Sequence, residues 1–485
     1  MLFGVSQNTS TQPNPSQETL LSAIHSISSH TLIGYVKELC KPKYAGRLTG
    51  TAGYNAAAHW VADLLKSWQV QPAGDNGSYL QAFANPYTIV LPGSAVRLHL
   101  PIRRGQTIDK HYLFEKDFIP GSTSDSGEVT AEVIYVGYGI TAPELGYDDY
   151  RGMDVKNKIV LMEREVPVSP GKSPEEFKKW RKYSFHQYKV QNAKLHGAAG
   201  MLYNYHIANP NCQFIKGFIL TYVGPSIVND LFKGTGRDPV KTVKQIQKER
   251  KPRSFRTRKT VTMRNVTRHY PDGTAFNVIG MIAGTDPQLN KEAIILSGHL
   301  DHVGMNHKLM PGANDNASSV AVLLEVARAL TQYKLKTKRS VIFIFFGAEE
   351  QGVKGSEFYL KHPVVPNQNI KACINMDGVG RGDKLLALAG KNYPDLWHVF
   401  DEANTKYIHR TIRTTHFQNL ARPRLDAAHF MWANIPTISF AAYGGKPLPF
   451  SPYHKTTDTP EIITPEIMED LAQLILAATT RLANQ

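Results

Sequence analysis

Few features in this chain would brace it or anchor it from outside. There are three cysteines, Cys40, Cys212 and Cys373, and none shows metal-ligand or redox spacing. Cys40 and Cys373 sit in amphipathic or apolar runs, where packing is the expected role, so the cysteines leave the compartment open. No apolar run reaches the roughly 18 residues that cross a bilayer, and no membrane span is expected. No repeat recurs at a solenoid period, and no low-complexity tract breaks the chain. Met1–Gln7 is too short for a secretory signal and fits the tail of a trimmed one or an ordinary start. The polar stretch Gln7–Gln17 reads as a disordered lead-in.

What is present fits a globular protein with a sizeable core. Of 485 residues, 42% are hydrophobic and 20% charged, and the length allows two or three domains. The net charge of +15 is concentrated between Lys241 and Arg268. Only Phe255 offers an aromatic ring there, and no nucleic-acid motif accompanies the charge. The expectation is a solvated, twisted connector that does not bind nucleic acid. An acidic substrate or an anionic surface is equally compatible with it.

Three textures follow one another along the chain. Leu20, Leu21, Ile24, Ile27 and then Leu32, Ile33, Val36, Leu39 follow helical spacing. A Gly-rich turn, Gly46–Gly53, precedes an Ala-rich helix predicted over Tyr54–Trp68, and Asp75-Asn-Gly77 makes a turn. From about Pro101 to Arg258 the pattern is a small β-rich module with a few helices, including Val129–Tyr135 and Lys158–Met162. From Val261 onward strands and helices alternate. Ile294–Leu296, Val341–Phe346, Ala372–Asn375 and Ile435–Phe440 are apolar runs of strand length, with helices at Val320–Leu330 and Ser356–Lys361. This alternation predicts an α/β sheet flanked by helices on both faces.

Five polar clusters stand beyond those strands. They are Ser297-Gly-His-Leu-Asp-His302, Gly312-Ala-Asn-Asp-Asn-Ala-Ser318, Gly347-Ala-Glu-Glu-Gln-Gly352, Asn375-Met-Asp-Gly378 and Tyr453-His-Lys-Thr-Thr-Asp-Thr459. Open α/β sheets place their sites at the carboxyl ends of strands. Taken singly each cluster is weak; Asp315, for example, reads as a helix N-cap. Together they offer His299, Asp315, Glu350, Asp377 and His454, an oxygen and imidazole set suited to zinc or a similar divalent ion. Five ligands exceed one catalytic zinc and suffice for two ions if one carboxylate bridges. Two such ions can hold a hydroxide and polarise a carbonyl. Adjacent side chains diverge in a loop after a strand, so Glu349 beside a ligating Glu350 is a candidate general base. Asp301, two residues from His299, is placed to orient that imidazole.

The ordered clusters resemble the M28 metallopeptidases, a superfamily of di-zinc exopeptidases. The resemblance implies a mixed β-sheet flanked by helices, with an inserted β-rich PA domain. It implies that two Zn²⁺ ions are held, one by His299 and Asp377 and the other by Glu350 and His454. Asp315 would bridge them, Glu349 would be the general base, Asp301 would support His299, and Tyr453 would help stabilise the tetrahedral intermediate. Tyr44-Ala-Gly-Arg-Leu-Thr-Gly-Thr-Ala-Gly53 and Gly77–Gln81 resemble the family's N-terminal segment. Gly137-Tyr-Gly-Ile140 and Asp154–Ile159 resemble parts of a PA domain. The implied layout is a lead-in over 1–16, catalytic parts over 17–105 and 263–485, and a PA-like insert over 106–262. The chain departs from the family at Ser319, where glycine is common, and at Leu425-Asp-Ala427, which keeps only Asp426 of a Ser-Asp-His cluster.

The implied activity is that of a zinc aminopeptidase acting on a peptide substrate, with an extracytoplasmic location, periplasmic or secreted. Two alternatives share the fold. A glutaminyl-peptide cyclotransferase tends to carry Asp-Ser where this chain has Asp315-Asn316. A glutamate carboxypeptidase-like enzyme would act on acidic C-termini, which the basic charge suits.

Overall fold

The computed structural model of the chain describes residues 15–102, 106–417, 424–449 and 451–485. The expected lead-in lies outside the described residues as far as residue 14. Two large mixed sheets organise the rest. The first runs in the order Gln71–Pro72, Thr274–Ile282, Ser340–Phe346, Ala293–His299, Ile370–Met376, Thr437–Tyr443, Lys384–Leu388, Ile412–Thr415, and Leu80–Ala84 also pairs with Thr274–Ile282. The strands Ser340–Phe346, Ala293–His299, Ile370–Met376 and Thr437–Tyr443 are mutually parallel. Every residue of Ala293–His299 and Ser340–Phe346 is buried, as expected of central parallel strands covered on both faces.

Helices supply those covers. Ser318–Gln332 is buried almost all round and packs with Ser29–Leu39 and Pro465–Leu482 on one face of the sheet. Lys354–Lys361 and Ala427–Trp432 cover the other face, where Tyr359 and Phe430 meet Ile342, Ile344 and Cys373. Local sequence explains the helix starts. Thr51 caps the Ala-rich helix Ala52–Ser67 by accepting from the Tyr54 amide, and Ser28 caps Ser29–Leu39 by accepting from that of Thr31.

The second sheet interrupts the first. Its order is Thr107–His111, Ala95–Pro101, Phe255–Asn265, Gly127–Tyr135, Ile159–Glu163, Gly200–Asn204, Ile219–Val223, Phe118–Pro120. It has its own apolar clusters on its two faces. The Gly137-Tyr-Gly-Ile140 turn wraps the buried Asp149 carboxylate, which accepts from the Tyr138 and Ile140 amides at 3.0 and 3.1 Å. Gly137 has φ 48°, and a Cβ there would come within 2.4 Å of that carboxylate, so only glycine fits.

The basic stretch differs from the expected connector. It forms the helix Pro239–Glu249 and the 11-residue strand Phe255–Asn265. Phe255, Thr257, Val261, Thr262, Met263 and Asn265 of that strand are buried, and a register shift between Arg256 and Thr260 breaks the alternation that sequence periodicity would have needed. Its arginines pair locally: Arg250 with Glu176, Arg253 with Glu249 and Arg256 with Glu132.

Candidate metal centre

Strand register brings the ligand clusters together. His299 ends its strand directly beside Phe346, and Ser297 pairs with Asn375. The Gly347–Glu350 turn, His299 and Asp377 therefore emerge at one edge of the sheet. Asp315 lies in the turn Ala313–Ala317, ahead of Ser318–Gln332. The helix receives no side-chain cap from it, so the N-cap expectation for Asp315 does not apply. Its carboxylate faces two ways. Oδ1 lies 3.4 Å from His299 Nε2, and Oδ2 lies 3.2 Å from His454 Nε2. His299 Nε2 also lies 3.6 Å from Asp377 Oδ1, and His454 Nε2 lies 2.9 Å from Glu350 Oε2.

Two groups of donors result, both including Asp315. One joins His299, Asp315 and Asp377; the other joins His302, Asp315, Glu350 and His454, each with ligand atoms within 4.8 Å of one another. His302 was absent from the candidate ligands, although it stands in the same short cluster as His299. Its Nδ1 meets Glu350 Oε1 at 2.9 Å. The signal available was a second imidazole three residues after the first. The buried Nε2 atoms of His302 and His454 make no well-formed hydrogen bond. Lone pairs and carboxylate oxygens aimed at shared centres are what a divalent cation such as zinc requires.

Neighbouring loops hold these donors from behind. Asp301, expected to orient His299, does so mainly through its carbonyl, 3.2 Å from His299 Nδ1, with its carboxylate at 3.6 Å. That carboxylate accepts instead from the amides of Glu349 and Glu350, at 3.1 and 3.2 Å. Asp458 does the same for the bridging turn, accepting from the amides of Asn314 and Asp315 at 2.9 and 3.1 Å. Asn316 straddles Asp377: it donates to the Met376 carbonyl and accepts from the Gly378 amide. Ser319 donates to Asn316, which gives the departure from glycine a structural use.

The N-terminal cluster braces the same loops. Arg47 is fully buried and donates to the carbonyls of Leu39, Leu300, Pro311 and Gly312 at 2.8–2.9 Å. It thus ties the loop after His299 to the loop before Asp315. Thr49 accepts from the Ala348 amide at 2.8 Å, beside the two glutamates.

The electrostatics follow from burial and crowding. Burial opposes charge on His299, but Glu349, Asp301, Asp315 and Asp377 outweigh it and hold its pKa well above the usual range. Burial likewise opposes charge on His454, and Glu350 and Asp315 outweigh it. Burial pushes the Glu350 carboxyl up, yet His454 and His302 draw it down to about 2. Glu349 goes the other way: burial, then Glu350, Asp426 and Asp377, raise it well above the carboxylate range against the pull of His299. Burial also lifts Asp426 to about 7. Two adjacent glutamates with opposite shifts suit one ligand and one proton carrier.

A cavity of about 620 Å³ opens onto the cluster. Glu349, Glu350 and Tyr453 line it from loops of the first sheet, and Arg164, Tyr205 and Asn211 from loops of the second. The Tyr453 ring stacks on His454, centroids 3.8 Å apart, and is half-exposed to the cavity.

Residues 277–479 match the model of peptidase family M28, and residues 129–217 match that of the PA domain. The chain carries an M28 peptidase domain with a PA domain. The PA domain lies in the second sheet, between the strands Leu80–Ala84 and Thr274–Ile282 of the M28 sheet. The probable leucine aminopeptidase 2 of Aspergillus oryzae is 34% identical over 116 residues, 24% of this chain and 22% of that protein. Aminopeptidase YwaD of Bacillus subtilis is 25% identical over 229 residues, 43% of this chain and 45% of that one. The chain spans less than half the length of the curated relatives it matches. The fold is that of the aminopeptidase from Aneurinibacillus sp. strain AM-1, with TM-score 0.65 and 21% identity, covering 96% of both chains.

Proposed function

We propose that the chain is an aminopeptidase that uses two zinc ions to hydrolyse the first peptide bond of a peptide. One observation carries this reading: the Asp315 carboxylate presents one oxygen to the His299 group and the other to the His454 group. His299 and Asp377 would hold one ion and Glu350 and His454 the other, with Asp315 within reach of both. When bound, such ions polarise a carbonyl and lower the pKa of water.

The residues do the rest. Glu349 lines the cavity over the cluster and belongs to neither donor group, so it takes the proton of the attacking water. Having taken that proton, Glu349 returns it to the leaving amine, the division of labour expected of a general acid-base carboxyl. Tyr453 donates its phenol hydrogen to the oxygen of the former carbonyl. Partial burial at the cavity wall, then the Glu350 and Asp315 carboxylates, raise the pKa of that half-exposed phenol, so it stays a donor. Asp301 holds the Glu349–Glu350 turn through its two amides. Two of the relatives, from Aspergillus oryzae and Bacillus subtilis, are named as aminopeptidases, which supports this reading.

The test combines metal counting with a substrate panel. The purified protein retains two zinc ions and cleaves aminoacyl p-nitroanilides, and a chelator abolishes both. Cleavage of N-blocked dipeptides with free C-termini in place of the anilides would assign a carboxypeptidase instead. A single retained ion with cyclisation of N-terminal glutamine would assign the cyclotransferase.

A further inference from the structure

The two imidazoles on either side of Asp315 are oriented by different domains. His299 Nδ1 meets the Asp301 carbonyl at 3.2 Å, within its own loop. His454 Nδ1 instead lies 2.7 Å from the carbonyl of Ala208, 246 residues away and inside the span that matches the PA domain. The Ala208 amide donates back to the His454 carbonyl at 3.2 Å. A histidine that ligates through Nε2 must carry its proton on Nδ1, and the acceptor at Nδ1 fixes both tautomer and ring angle.

A second grip lies two residues on. Thr456 donates its amide and its hydroxyl to the Glu115 carboxylate at 2.9 and 2.7 Å. Glu115 stands between two strands of the second sheet, in the left-handed region at φ 62°, and its amide donates to the Phe118 carbonyl. The Ala208 segment is fixed in turn by Tyr222, whose hydroxyl donates to the Asn209 carbonyl at 2.9 Å. Both grips therefore start from ordered parts of the second sheet. The loop after His302 completes the contact, since Val303 and Met310 pack into an apolar cluster of that sheet with Ile119 and Leu220.

We propose that the PA domain's side of the molecule sets the metal affinity of the Glu350–His454 position, with Glu115 and the Ala208 carbonyl as positioning groups, and leaves the His299–Asp377 position untouched. The inference rests on the two-ion reading above. Its consequence is that any ligand or partner shifting the second domain would load or unload one ion selectively.

The experiment is a chelator titration of the zinc-loaded full-length protein, reading ions retained per chain and the folded state by circular dichroism. Wild type releases its two ions in its own sequence. Glu115→Ala releases one ion at roughly 10–100-fold lower chelator, the usual cost of losing a group that orients a ligand, and the other ion at the wild-type concentration. Glu115→Gln keeps an acceptor for Thr456 and restores most of the affinity. Thr456→Val removes the hydroxyl from the other side and provides the same selective loss should Glu115→Ala fold poorly. Arg424→Ala cuts another link between the domains, the Arg424–Glu165 pair, and leaves both ions at wild-type affinity. Equal loss of both ions in Glu115→Ala and Thr456→Val overturns the proposal, as does Arg424→Ala weakening the same ion as strongly. A wild type that holds fewer than two ions refutes the two-ion reading itself, which separates the two failures.

Discussion

The two sides of the Asp315 carboxylate are built in different ways. The His299 side comes wholly from strand ends of one sheet, where register puts His299 and Asp377 within reach, while Glu350 reaches from the same sheet to the His454 side. The His454 side hangs on a long loop after Thr437–Tyr443, and that loop takes its geometry from a second domain. The carboxyl ends of these central strands are rigid because the strands are buried and hydrogen-bonded on both flanks. A loop held by contacts across a domain boundary keeps its shape only while that boundary holds. The difference makes one half of the centre part of the fold and the other half part of an interface.

The largest expected effect falls where the two halves meet. Glu349→Gln lowers kcat/KM by about 10²–10⁴-fold while metal content stays that of wild type. A near-normal rate in the variant would remove Glu349 from proton transfer and leave the centre as two metal positions without a carrier. Next in size is Arg47→Met. Four carbonyls lose their charged donor at once, and buried acceptors left bare are costly. Stability drops by about 3 kcal/mol or more, read as the shift in denaturant midpoint. Arg47 binds loops that lead to His299 and to Asp315, so both ions leave at lower chelator concentration. Selective loss of the His454 ion in this variant would erase the distinction between the halves.

The same distinction decides what could be read from the sequence. The sheet was legible because Ile294–Leu296, Val341–Phe346 and Ala372–Asn375 are unbroken apolar runs, and polar clusters at their ends stand out against them. The family match covers those residues too. What held the clusters was not legible. Nothing in His454 signals that Ala208 is its partner, because a backbone carbonyl has no sequence signature. The separate uses of the Asp301 carbonyl and carboxylate look alike in sequence for the same reason. His302 was passed over because one ligand per cluster had already satisfied the count. The basic stretch reads as a connector because alternation in Phe255–Asn265 is filled by arginines, lysines and threonines. Only Phe255, Val261 and Met263 are apolar among its buried positions; Thr257, Thr262 and Asn265 fill the rest, too few apolar residues to announce a strand.

The smallest effect tests the second domain by itself. Glu163 is buried at the end of Ile159–Glu163, accepting from Asn204 at 2.7 Å and Tyr135 at 3.4 Å. Burial lifts its carboxyl from 4.5 to about 7. The folded state therefore keeps this proton through a window where the unfolded chain has released it. Between pH 4.5 and 7 the native state binds more protons, so the group's contribution falls as pH rises and the full cost is present above 7. Glu163→Gln removes that titration. Its melting temperature relative to wild type rises from pH 5 to pH 8, by the equivalent of about 2–3 kcal/mol. The comparison at each pH cancels changes in metal occupancy that act on both proteins alike. A difference that stays flat or falls with pH would mean that Glu163 is charged in the folded domain. The second domain would then meet the His454 loop with a core less rigid than its buried hydrogen bonds imply.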